Sequence, residues 1–302
     1  MAAAVDPESQ LAWERRQRPR AGVAALVGGA FTFASYIGSG LVFSNVPRAY
    51  FVDSLGRATR PGALGGLPSL QEPVFRFLDD RMPTLLLLGV VSLIGALGLG
   101  WALGFLAVAT RARRPALGRF AVYVPIVGGA LLGLSGLLQA VGRVIVAHDF
   151  LTGPNTVDRA TGGLNTAVLA TSSYVGLLAG LLVAVAFVLI CLNAMRAGLL
   201  SRFMGVLGVI VGVLVIFPLG GPVVESFWLL ALGALLLGPW PPGVPPAWRT
   251  GREEPWPSQH ELAEQRRARA GGRPSAEPEP EPAAAPPAPA ASATRRKRKR
   301  RT

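Results

Sequence analysis

Two apolar runs, Thr84 to Ala109 and Phe120 to Ala147, are joined by the arginine-dense stretch Thr110 to Arg119, and this hairpin constrains the chain more than any other part of it. Each run exceeds the roughly 20 residues that a helix needs to cross about 30 Å of hydrocarbon. Arginine is costly to translocate and is kept on the cytoplasmic side of short loops, so Arg111, Arg113, Arg114 and Arg119 fix this turn as internal. Every other segment takes its side from it. The composition, 51% hydrophobic and 16% charged, points the same way, to an integral membrane protein and not to a soluble core.

Upstream, residues 1–21 read as a cytoplasmic segment. Asp6-Pro7-Glu8 is a helix start with proline at the first position, and the segment closes on Arg15, Arg16, Arg18 and Arg20. This pattern predicts a short helix lying on the membrane surface, with Leu11 and Trp13 at the interface. Gly22 to Ser44 is too long for the apolar part of a signal peptide and forms a first span. Residues 45–83 are a long external loop punctuated by prolines, in which Ser69-Leu70-Gln71-Glu72 has the form of a capping box opening a short interfacial helix. Spans two and three flank the arginine turn. A second external loop covers His148 to Leu169, and a fourth span runs from Ala170 to about Met195 into a tight internal turn, Arg196 to Arg202. The fifth span, Phe203 to Phe217, ends at the breaker Pro218-Leu219-Gly220-Gly221-Pro222 on the outer side. The sixth, Val223 to Trp240, returns to the cytoplasm with Trp228 and Trp240 at the two interfaces.

After Trp240 the composition changes. Residues 241–302 are rich in proline and alanine, carry a further capping pattern at Ser258-Gln259-His260-Glu261, and read as a disordered basic tail. The tail ends in Arg295, Arg296, Lys297, Arg298, Lys299, Arg300 and Arg301. Such a run is attracted to anionic lipid headgroups at the cytoplasmic face by about 1 kcal/mol per charge. Nucleic acid phosphates are the weaker match, because no aromatic residue stands among these charges to stack on bases.

Charge inside the spans is the usual pointer to chemistry in a membrane protein. Spans one, two, four and five have no acidic or basic residue in their interiors. What remains is a candidate polar site: Gln139 and Arg143, one turn apart on span three, and Glu225 near the external start of span six. Arg143 reads as an anion or headgroup contact or as a snorkelling arginine, and Glu225 as its ion-pair partner or as an interfacial carboxylate. The single cysteine, Cys191, excludes an intramolecular disulfide, and no Cys/His spacing suggests zinc or calls for a cofactor. Gly133-Leu134-Ser135-Gly136 resembles the serine motif of rhomboid intramembrane proteases. A serine nucleophile needs a base, however, and no later span contains histidine, while His148 lies about 20 Å farther along the helix rise. Ser135 therefore reads as packing. Small-residue ladders support that reading: Ala96, Gly100 and Gly104; Gly129 and Gly133; Gly176 and Gly180; Gly208 and Gly212. They close a compact bundle or, facing outward, a homo-oligomer.

The stretch Ala197 to Gly208, AGLLSRFMGVLG, resembles uncharacterised bacterial six-span membrane proteins. That resemblance implies the six-span fold and brings no activity or catalytic residue. The sequence thus predicts an all-α, multi-pass protein of the cell membrane, six spans over 22–240, both termini cytoplasmic. Its expected role is non-enzymatic: a scaffold or accessory protein whose tail engages lipid or a protein partner, with a small permease for an uncharged or lipophilic solute as the alternative.

Overall fold

In hydrocarbon every backbone N–H and C=O must be satisfied within the protein, so apolar runs of this length fold as α-helices. The computed structural model, which describes residues 7–47, 69–217, 221–238, 245–254 and 267, consists of helices and short connections. Contacts divide the chain into a unit Met1–Trp256 and a unit Pro257–Thr302. Only Arg267 of the second is described, so the fold below is that of the first. In chain order the helices are α1 (Pro7–Phe43), α2 (Glu72–Asp80), α3 (Met82–Arg113), α4 (Phe120–Leu151), α5 (Val157–Leu164), α6 (Ala167–Arg196), α7 (Arg202–Ile216), α8 (Gly221–Leu237) and α9 (Ala247–Thr250).

Four stretches are long and apolar enough to cross a membrane: most of α1, all of α3, all of α4, and Val157–Arg196, which contains α5 and α6. The remaining apolar helices are shorter. With 15 and 17 residues, α7 and α8 measure only about 22 and 25 Å at 1.5 Å per residue. The expected six full-length spans are therefore four long helices and one short antiparallel pair.

The surface helix expected over residues 1–21 is not separate from the first span: α1 is one helix of 37 residues with Pro19 inside it. Proline removes one backbone hydrogen bond, and here both flanks are held in place. Trp13 stacks on Phe105 at 5.6 Å, and Arg18 donates to the Leu235 carbonyl at 2.9 Å.

Each long helix packs antiparallel on the next, in the cyclic order α1, α3, α4, α6, α7, α8 and back to α1. The glycine ladders make these approaches. A Cβ on Gly98 would lie 2.6 Å from the Ala24 carbonyl and 2.8 Å from Gly28 Cα; one on Gly129 would lie 2.9 Å from Gly100 Cα. Gly212 sits equally close to Phe187 and Ala184, whereas Gly180 has only Val215, at an ordinary 3.9 Å. The ladders thus serve the bundle itself. Leu99, Leu103 and Leu106 of α3, Phe187 and Ile190 of α6, and Trp228 and Leu232 of α8 fill its centre. Trp228 is fully buried, donates to the Met204 carbonyl at 2.9 Å and meets Phe187 edge-on, so it is a core residue and not the interfacial anchor expected. Trp240 lies outside the described residues.

The turn between α6 and α7 closes as the sequence requires. Gly198 takes φ +78°, its N–H donates to Met195 O and the Leu199 N–H to Ala194 O, the two bonds of a Schellman motif. Ser201 then caps α7, its hydroxyl accepting from Met204 N at 3.3 Å.

The bundle has a basic end and a far end. At the basic end Arg113 pairs in bidentate fashion with Glu14, donates to the carbonyls of Ala109 and Ala247, and lies over the ring of Trp248. Trp248 also stacks parallel on Phe105 and donates to Leu199 O at 3.0 Å. Residues 245–254, which follow the boundary expected at Trp240, are therefore docked on the helices. At the far end α2 forms as expected over Glu72–Asp80, although its N-cap is Gln71 and the Ser69 hydroxyl accepts from Gln71 N instead of closing the box. Phe75 of α2 stacks on Phe150 at 4.3 Å, and α5 occupies part of the loop expected between spans three and four.

Candidate functional site

The short pair α7 and α8 determines the site. Both helices begin or finish at the basic end, where Gly205 lies against Met195 and Gly22 against Leu236 and Leu237. Their tip, where Gly221 meets Leu214, lies far short of the far end of the long helices. Gly29 of α1 faces Ser226 and Leu230, and α8 begins five residues before Ser226, so beyond roughly Ala34 α1 loses its α8 neighbour while about 14 Å of its own helix still remains.

Above the tip a cavity of about 420 Å³ opens between the longer helices. Leu214, Val215, Phe217, Gly221 and Pro222 form its floor. One wall comes from α1, with Thr32, Ser35, Tyr36 and Ser39; the facing walls carry Ser92 of α3 and Ser135 of α4. Thr32, Ser35, Tyr36 and Ser39 recur at i, i+3, i+4 and i+7, which places all four on one helical face. The stripe is present in the sequence, but hydroxyls carry no charge and so do not stand out within an apolar span as an ionisable side chain does.

Glu225 lies in the same cavity with only 7% of its surface exposed. Its first turn of α8 was expected at the external interface. It lines the cavity together with Thr32 and Ser35 of α1 and Ser92 of α3. The carboxylate makes no hydrogen bond or ion pair with any described residue, although an isolated buried carboxylate is costly. Thr32, Ser35, Ser39 and Ser92 also have no hydrogen-bond partner among the described residues. The Ser135 hydroxyl, by contrast, donates to the Leu132 carbonyl of its own helix at 2.8 Å. What the cavity offers is a carboxylate acceptor and several hydroxyls that can donate or accept. That set suits a small solute bearing positive charge or several N–H or O–H donors.

The other sequence candidates fall elsewhere. Arg143 is half-buried with its guanidinium 5.0 Å over the Phe43 ring, a cation–π contact near the far end of α1. It lies seven residues beyond Gly136, a lining residue, which is about 10 Å along the helix axis. The structure forms no ion pair between Arg143 and Glu225 among the described residues, so the pairing considered for spans three and six does not occur. Gln139 is exposed on the same side of α4 as Arg143. His148 closes on Asp79 at 3.3 Å at the far end, away from Ser135. His260 and the run from Arg295 to Arg301 lie outside the described residues. Among the described residues no cluster of His, Cys, Asp and Glu has the makings of a metal site.

Comparison with known proteins adds nothing to this geometry: no family model, no curated protein and no solved structure matches the chain.

Proposed function

We propose that this protein is a non-enzymatic, membrane-embedded binding protein of permease type, taking a small cationic or donor-rich solute into the cavity above the α7–α8 tip. The observation that carries this reading is Glu225: a buried carboxylate with no partner among the described residues, in a cavity that also carries the hydroxyls of Thr32, Ser35, Ser39 and Ser92. A charge in hydrocarbon is rare and marks a solute or ion pathway more often than an accident of packing. The charge also shifts the expected solute class from uncharged or lipophilic to cationic. In this reading α1, α3, α4 and α6 cross the cell membrane, and α7 and α8 form a re-entrant hairpin that enters and leaves from the basic side. Irregular backbone at such a tip is tolerated where it lines a cavity. Four crossings place both termini on one side, as six would, and the arginine-rich turns assign that side to the cytoplasm.

The test is binding and uptake by the full chain in proteoliposomes, comparing choline with 3,3-dimethyl-1-butanol, its uncharged carbon isostere. A charge-assisted contact is worth about 1.5–3 kcal/mol, so choline is expected to bind about tenfold or more tightly, with the difference gone in Glu225→Gln. Equal handling of both compounds by the native protein would contradict the reading.

The accessory reading keeps one observation of its own. The far halves of α1 and α6 present bare apolar side chains: Phe33, Ile37 and Leu41 on one, Tyr174, Leu177 and Leu178 on the other. A partner's helix fits such a face, and the basic tail then serves to hold lipid or recruit that partner. Crosslinking from cysteines at Leu41 and Leu177 to a membrane partner, with choline binding absent, is the result that favours it.

A further inference from the structure

A second groove, of about 370 Å³, lies at the basic end between α1, α3 and α4, away from Glu225. Its length is apolar, lined by Trp101, Gly104 and Ile126 and by the ring of Trp13. Gly104 lets the Ile126 side chain lie directly against α3, since a Cβ there would meet it at 2.9 Å. Its polar end is formed by Gln17 and Arg20 of α1. Arg111 follows Gly104 and Val108 at helical spacing and so lies on the groove's face of α3.

These donors differ from the other arginines nearby. Arg18 is bonded to Leu235 O, Arg113 to Glu14, and Arg114 faces Glu253 at 3.6 Å. Gln17, Arg20 and Arg111 have no hydrogen-bond or ion-pair partner among the described residues, and Nε of Arg111 is buried without one. Arginine readily makes paired hydrogen bonds to phosphate oxygens, and three unspent donors at the mouth of an apolar groove match a headgroup with a chain attached.

We propose that this groove is a binding site for an anionic phospholipid, its phosphate held by Gln17, Arg20 and Arg111 and one acyl chain lying along Trp101, Gly104 and Ile126. The site takes negative charge where the Glu225 cavity takes positive charge, and it stands whether or not that cavity binds a solute.

Fluorescence quenching of the full chain in phosphatidylcholine vesicles tests it, with a minor fraction of the lipid replaced by brominated phosphatidylglycerol or, in parallel, brominated phosphatidylcholine. The part of the quenching that disappears in Trp101→Phe reports the groove. Each arginine favours the anionic headgroup by roughly fivefold, so the native protein should prefer phosphatidylglycerol by about 25-fold, falling to near parity in the double variant Arg20→Gln, Arg111→Gln. Arg196→Gln removes an exposed arginine at the same end and should leave the preference intact. Equal quenching by the two lipids in the native protein overturns the proposal without any variant, and an equal loss in Arg196→Gln overturns it in favour of diffuse surface charge.

Discussion

Arg111, Arg113 and Arg114 are neighbours in sequence and were equivalent as topological markers, yet the fold gives each a different task. Arg113 has no exposed side-chain surface and pairs with Glu14. Arg114 reaches Glu253 at the edge, and Arg111 has no partner among the described residues. Removing one partner of a buried pair leaves an uncompensated charge, so Arg113→Ala should cost about 3–5 kcal/mol in denaturant unfolding of the detergent-solubilised protein. Replacing both partners, Glu14→Gln with Arg113→Met, should cost distinctly less. Ser135→Ala makes the opposite comparison: its hydroxyl bonds only to its own helix, and stability should fall by no more than about 1 kcal/mol. Little of this was legible in the sequence. Glu14 and Arg113 are 99 positions apart, and no local pattern announces a pair that the bundle brings together.

At the scale of helices the sequence was far more informative. Apolar runs, the Leu-Leu turn after Gly198 and the four-residue glycine spacing each correspond to an observed helix, cap or close approach, because their causes are local. Depth was not local. The runs for α7 and α8 form helices close to where expected, yet at 15 and 17 residues they fall short of the roughly 20 that a membrane crossing needs. Close approach gives a test at this scale. Gly98→Ala forces a methyl onto the backbone of α1, and a loss of about 1–3 kcal/mol is expected in the same unfolding measurement. Gly40→Ala, with nothing within 4 Å of the added carbon, should cost nothing and raise stability by up to about 1 kcal/mol, because alanine favours the helix over glycine.

For the whole molecule, the folded unit reaches past the last apolar helix because residues 245–254 cover the buried arginines. Truncation after Trp256 should leave thermal unfolding unchanged. Truncation after Gly238 removes Trp248 from between Phe105 and Arg113, and the loss should match that of a buried tryptophan, about 3–5 kcal/mol. The composition marked its break at Trp240 because prolines follow there; docking by one tryptophan ring carries no compositional signature.

The central claim is that the short hairpin holds the Glu225 carboxylate in a solute-accessible cavity within the bundle. Mass-spectrometric mapping of carboxyl groups amidated by a water-soluble carbodiimide and glycine ethyl ester, on intact membranes carrying the full chain, tests it most directly. The expected result is modification of Glu225 that tetramethylammonium suppresses, while the exposed Glu72 is modified equally with and without the cation. If Glu72 is labelled and Glu225 is not, Glu225 is sealed in the core; if Glu225 is labelled equally with and without the cation, the cavity is open but takes no such solute.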